Sequence, residues 1–483
     1  MMRRRSLSIL LQFLPVFMAL LMPPTILGET ARTLSRTADP LDIPGDSLPR
    51  ILGASLESIY VSALREGKWV RVPFQIDERR RIRTESGETS LDYVFPEGTS
   101  PMVDDDPSFD ADDLLVLLAR DLGNQAGQDI GLEVGVPGYE IEVTDPCDGS
   151  RGWAYVSVHT DRAALPGEDY VSHRPAESIL EGSRYRIRLS KENPLVYEQL
   201  VLKGDTPETG ERELNIIDRF KMRAKASLLI PLLRFRRNEA DLRSRTIGWI
   251  DGPVRVVRRM ETRIDLLWGF TTEAQVQDTV FYPDHFFFWV DLTSPVALNR
   301  LISKAEVRLS ADLNGQAVGM LFASRGNPTG LLVDGVMSEQ ERCMETKGQN
   351  WYALSDGIDT LFSRLIIPEG TPVRMELEYM DDRRLPDPPE TVSGRWGDAG
   401  YRLKGLASLG KGGYRVLLHT MIGEGYRVGG EKAFLDMTDQ PLAWSCRLLP
   451  NRPSSGRAPS AAMGSGRSVI REIDEERNVN ERY

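Results

Sequence analysis

The chain has 483 residues, 41% of them hydrophobic, which is enough apolar material for two or three domains with their own cores. Its formal net charge of −11 argues against a general nucleic-acid binder, because displacing counterions from phosphates needs a basic footprint. The three cysteines, Cys147, Cys343 and Cys446, show no C-x-x-C or zinc spacing, and they are too few for the disulfide framework of a small secreted module.

In chain order, residues 1–28 carry the three parts of a cleavable secretory signal. Arg3 to Arg5 form a positive start, Leu7 to Leu21 an apolar stretch, and Ile26-Leu27-Gly28 a small-residue cleavage site. An uncleaved anchor is the alternative, and Pro15, Pro23 and Pro24 weaken it. Cleavage removes three arginines and takes the net charge from −11 to −14. The expected location is the periplasm or the exterior, with no transmembrane span after cleavage. An exported chain can keep one disulfide, and three pairings are open, Cys343 with Cys446 among them.

Residues 41–165 read as an N-terminal antiparallel β-sandwich. Trp69 to Ile76 alternates in part, with Pro73 marking an edge or bulge. Leu114 to Ala119 is a continuous apolar run of buried-strand length, or else a short helix. Tyr139 to Val143 and Trp153 to Val158 are further strands, joined by a turn at Asp145-Pro146 to Gly149. Residues 180–449 read as a larger, supersandwich-like β domain. Tyr185, Ile187 and Leu189 alternate with arginines, and similar alternation recurs near 216–228, 254–265, 307–313 and 373–379. Residues 219–237 are open to a helical reading through Ala224, Ala226 and the Leu-rich run. Gly410 to Gly413 suggests a hairpin turn, and residues 451–483 a disordered tail. The fold class expected is mainly β.

Three segments carry a family resemblance. They are Val72-Pro73-Phe74-Gln75-Ile76-Asp77-Glu78, then Asp110 to Leu115 with Ala119 to Gly123, and Asp251-Gly252-Pro253-Val254-Arg255-Val256-Val257-Arg258-Arg259. Together they resemble a family of exported bacterial β-rich proteins. That resemblance implies export and implies no activity. Separately, Gly252 to Arg255 is similar to strand openings in the β-supersandwich domains of sugar lyases and mutarotases.

Two features suggest ligand sites. Asp104, Asp105, Asp106, Asp110, Asp112 and Asp113 place six carboxylates within ten residues. Asp104, Asp106, Asp110 and Asp112 are candidate Ca²⁺ ligands, although the EF-hand glycine and terminal glutamate are missing; a solvated acidic turn is the alternative. Arg184, Arg186 and Arg188, then Arg219, Lys221, Arg223 and Lys225, and Arg255, Arg259 and Arg263, occupy the polar positions of three predicted strands. If those strands are neighbours they form a cationic face for an acidic polysaccharide; pairing with Glu306, Glu376 and Glu378 would neutralise it.

No catalytic constellation is visible. His159, His173, His285 and His419 lie too far apart for a local zinc helix, and there is no G-x-S-x-G or phosphate loop. Tyr282 and His285, beside an aromatic run, are the candidates for proton abstraction in a lyase; a turn leading into a core strand is the alternative. Three functions therefore stand. They are carbohydrate or polyanion binding, a polysaccharide-acting enzyme of lyase type, and an envelope accessory factor that contacts other envelope proteins.

Overall fold

Period-two alternation becomes antiparallel strand wherever one face can be buried. In Tyr185–Leu189, residues 185, 187 and 189 point into the core while Arg186 and Arg188 face outward. A computed structural model describes residues 30–83, 89–99, 107–127, 138–159, 167–206, 210–228, 234–265, 271–294 and 302–449. The expected signal at 1–28 and tail at 451–483 lie outside these residues. The described chain is mainly β, as its alternation requires. Among the described residues, no helix is long and apolar enough to cross a membrane.

Two sheets build the N-terminal part. The short central sheet orders Pro40–Pro44, Leu114–Leu118 and Gln75–Asp77. The N-terminal sheet orders Ala443–Leu448, Gly138–Thr144, Arg151–Val158, Ile59–Arg65 and Lys68–Arg71. The Trp69–Ile76 alternation divides at residues 72–74, where Pro73 interrupts the ladder. The chain leaves the edge of one sheet there and enters the other.

Three sheets build the rest. The large sheet has nine strands, among them Leu242–Asp251, Val256–Ile264, Gln275–Phe281, His285–Ser294 and Gly412–Glu424. The opposing sheet orders Arg234–Arg237, Ile217–Leu228, Ile302–Leu313, Arg395–Lys404 and Arg374–Asp382. The cleft sheet orders Val171–Arg174, Ile179–Gly182, Tyr185–Leu189, Tyr197–Thr206 and Gly210–Asn215. All three feed one core, which includes Tyr185, Leu202, Phe286, Leu313, Tyr352 and Tyr401.

The 219–237 stretch is strand over Ile217–Leu228 and Arg234–Arg237, as its alternation suggested and against the helical alternative, because its alternate residues meet the core of a sandwich. Gly410 to Gly413 does not close a hairpin. Arg395–Lys404 belongs to the opposing sheet and Gly412–Glu424 to the large one, with left-handed Gly405 and a short 3-10 turn carrying the chain across. The last strand, Ala443–Leu448, pairs with Gly138–Thr144, so the chain ends inside the N-terminal sheet rather than completing the larger domain. Cys147, Cys343 and Cys446 are free thiols, so none of the three open pairings is formed.

The Leu114–Leu118 strand is buried on both faces, which is why its sequence is continuously apolar. Leu115 and Leu117 pack with Ile59, Val61, Ile141 and Val156 of the N-terminal core. Leu114, Val116 and Leu118 pack with Val254, Val257 and Val280 of the large sheet. The short central sheet is thus a middle layer between the two parts. Leu114→Ala and Leu115→Ala, on opposite faces, are each expected to cost about 2–5 kcal/mol in equilibrium denaturation. A near-neutral effect of either one would mean that face is not a packed layer.

Candidate functional site

The middle layer presents polar groups to the large sheet. Asp42 and Gln75 both lie opposite Val116, and Asp77 lies opposite Leu114. Period two turns all three side chains away from the N-terminal core. Arg255, just ahead of Val256–Ile264, inserts between them. Its Nε donates to Asp77 at 2.7 Å, and its Nη1 to Asp42 at 3.0 Å and to the Tyr282 hydroxyl at 2.8 Å. Its Nη2 donates to Asp77 and to the Tyr93 hydroxyl. Gln75 Oε1 accepts the N–H groups of Val254 and Arg255 at 3.3 and 3.0 Å. A Cβ on Gly252 would come within 2.2 Å of that oxygen, so the approach requires glycine.

All three segments that carry the family resemblance meet here. Asp77 and Gln75 come from the first, Arg255 and Gly252 from the third. The second supplies the buried strand, and also Arg120, which binds Asp284, and Asp121, which accepts from the Tyr170 hydroxyl at 2.9 Å. Arg255 is 1% exposed. Burial acts against its charge, yet Asp42 and Asp77 outweigh burial and hold the guanidinium well above its ordinary range.

The candidate catalytic pair lies in the same seam. Tyr282 and His285 close a tight turn, with the Tyr282 N–H donating to the His285 carbonyl at 2.8 Å. Their rings stack at 4.6 Å. His285 Nδ1 shares a hydrogen bond of 2.7 Å with Asp284. Burial pushes the Asp284 carboxyl up, but His285 and Arg120 prevail and keep it below its usual range. Tyr282 thus stands between His285, which it stacks on, and Arg255, which donates to its hydroxyl. Tyr282 and His285 are, however, 3% and 0% exposed, and every guanidinium nitrogen of Arg255 already has a partner. A uronate carboxylate has no donor left to take, so the geometry gives this trio a structural role. His419 packs 5.5 Å from His285, and burial holds it well below its usual range and therefore neutral.

The other sequence candidates separate. Arg219, Lys221 and Arg223 lie on Ile217–Leu228 in the opposing sheet, whereas Arg259 and Arg263 lie in the large sheet. The two strands are not neighbours, so one shared cationic face does not form. Each cation has a carboxylate beside it. Arg219 lies 3.7 Å from Glu198, and buried Lys221 binds Asp312. Arg223 binds Glu239, Arg259 binds Asp278 and Asp92, and Arg263 binds Glu261. Glu306, Glu376 and Glu378 are engaged by other cations, Arg402 and Lys404 among them. Of the acidic loop, Asp104 and Asp106 lie outside the described residues. Asp110 accepts the Asp112 N–H at 3.0 Å as a turn cap, and Asp112 lies 3.9 Å from Arg81. Among the described residues, no group of three or more His, Cys, Asp or Glu side chains could hold a metal ion.

An open cleft of about 550 Å³ lies where the cleft sheet turns into the opposing sheet. Gly210–Asn215 ends there, Ile216 bonds to the Leu200 carbonyl at 3.0 Å, and Ile217–Leu228 begins at once. Arg188, Glu198, Gln199, Asn215, Asp218, Asn314 and Gln316 line the cleft with Ile217 and Val392. Asp218 accepts the N–H groups of Thr391 and Val392 at 2.8 and 3.1 Å, fastening one wall. Asn314 accepts the Gln316 N–H at 2.8 Å and shapes another. Asn215 Oδ1 is buried without a hydrogen-bond partner among the described residues. Of the basic strand positions, Arg188 lines this cleft and Arg219 lies beside it, through Glu198. The lining comes from five separate stretches, so no local spacing could have revealed it.

Behind the cleft, Lys221 holds Asp312, with Asp387 and Glu390 at 3.7 and 3.8 Å. Burial, then the Asp398 carboxylate, pushes the Asp312 carboxyl up to about 7. The folded chain thus keeps a proton that an unfolded aspartate loses near about pH 3.9. Stability from this group is full below that unfolded value and lost as pH rises through the folded one. Asp312→Asn is expected to flatten the fall in Tm between about pH 5.5 and 8. Equal slopes for the two proteins would contradict it. Arg255→Ala is expected to cost about 3–5 kcal/mol in denaturant titration, because Asp42 and Asp77 would lose their shared cation. A loss under about 1 kcal/mol, the scale of an exposed pair, would contradict the buried seam.

No protein-family model matches the sequence, and no curated protein matches it. Among solved structures, an α-mannosidase from Enterococcus faecalis V583 is similar over 88% of this chain and 46% of its own, with a TM-score of 0.41 and 10% identity. A protein in the glycosyl hydrolase family 38 from Enterococcus faecalis is similar over 88% and 48%, with a TM-score of 0.40 and 9% identity. The chain spans about half the length of the solved structures it matches.

Proposed function

We propose that this chain is an exported carbohydrate-binding protein whose ligand rests in the cleft at the corner of the two sheets. The observation that carries the reading is the chemistry of that cleft. Amides, carboxylates and a guanidinium line about 550 Å³ of open space. Planar polar groups beside a little aliphatic surface suit the hydroxyls of a sugar. Export rests on the n-region, apolar stretch and cleavage site in residues 1–28. Binding is favoured over lyase chemistry because the Tyr282, His285 and Arg255 trio is buried and its cation fully engaged.

A glycan array followed by calorimetry tests this directly. At least one oligosaccharide should bind and remain unmodified, and Asn215→Ala or Gln199→Ala should weaken it at least about tenfold, the effect of losing one or two hydrogen bonds. Retention of no glycan, or release of an unsaturated product, would overturn the proposal.

A further inference from the structure

A second cavity of about 400 Å³ adjoins the cleft. Arg188 and Glu198 line both, so the two open on either side of one ridge. That ridge is set by the register of two paired strands, where Arg188 of Tyr185–Leu189 lies opposite Gln199 of Tyr197–Thr206. Each cavity alone falls in the usual range for a small ligand, roughly 300–1,000 Å³. The charges along the pair are uneven. Glu177, Glu192, Glu198 and Asp218 face Arg188 and Lys191, an excess of carboxylate. Hydrogen bonds to its own backbone and to the Ser190 hydroxyl keep Glu192 below its usual range and so charged near neutrality. Two cations outside the lining approach these carboxylates: Arg219 lies 3.7 Å from Glu198, and Arg174, which binds Glu181 more closely at 2.6 Å, lies 3.7 Å from Glu177.

Resting on the carbohydrate reading, we infer that the two cavities form one extended site for a non-acidic oligosaccharide several sugar units long, which crosses the Arg188–Glu198 ridge. A chain reaching from one cavity to the other gains contacts that a short one cannot make. Uronate or sulfate groups would meet the surplus carboxylates and be disfavoured, which reverses the charge preference expected from the basic strand positions.

The test is calorimetry on the full chain with oligomers of glucose, mannose, galactose and glucosamine, against oligomers of galacturonic acid. For the best-binding series, affinity should rise at least about tenfold from disaccharide to hexasaccharide, and galacturonate oligomers should bind at least about tenfold more weakly. Glu177→Ala with Lys191→Ala, confined to the second cavity, should remove the gain for the hexasaccharide and spare the disaccharide. Affinity independent of length, or tightest binding to galacturonate, would overturn the inference while leaving carbohydrate binding intact. Failure of every oligomer to bind would remove both.

Discussion

The architecture depends on one buried cation. Arg255 reaches from the edge of the large sheet to the short central sheet, where buried Asp77 and partly exposed Asp42 hold its charge while the guanidinium itself is closed off from water. Burying a guanidinium is costly, and breaking its pairing leaves two carboxylates uncompensated. Apolar contact between the layers is non-directional, but the bonds of Arg255 and Gln75 fit one register only. The seam therefore fixes how the two parts of the chain sit. The return of Ala443–Leu448 to the N-terminal sheet binds them a second time.

This arrangement separates the packed seam from the open cleft. Tyr282 and His285 have the chemistry of a proton-transfer pair, yet they stack inside the seam and serve its packing. The open cleft is lined by other residues on other strands, from exposed Arg188 and Gln316 to buried Asp218 and Asn314. The two regions share the sandwich as a frame: the opposing sheet that lines the cleft packs across the core from the large sheet that carries Arg255.

Much of the fold was legible because burial on one face writes period two into a strand. Tyr185–Leu189 and Arg374–Asp382 follow it closely. The apolar run at Leu114 was also legible, as a strand covered on both sides. Arg255 was misjudged for the same reason. It occupies a polar position that would face solvent in a lone sheet, and only a second layer puts it inside. Asp42 gave no signal at all, since one aspartate in a five-residue strand says nothing about a partner more than two hundred positions away. Gly410 to Gly413 carried turn chemistry without revealing that the flanking strands belong to different sheets. The cleft was illegible because its side chains run from Arg188 to Val392 and meet only through the corner between two sheets.

Differential scanning calorimetry of the wild type and Arg255→Ala shows whether the Arg255 seam makes the two parts one cooperative unit. The wild type should melt in a single transition, with calorimetric and van't Hoff enthalpies equal, and the variant in two separated transitions once the cation is removed. Two independent transitions in the wild type, or an unchanged single transition in the variant, would contradict it.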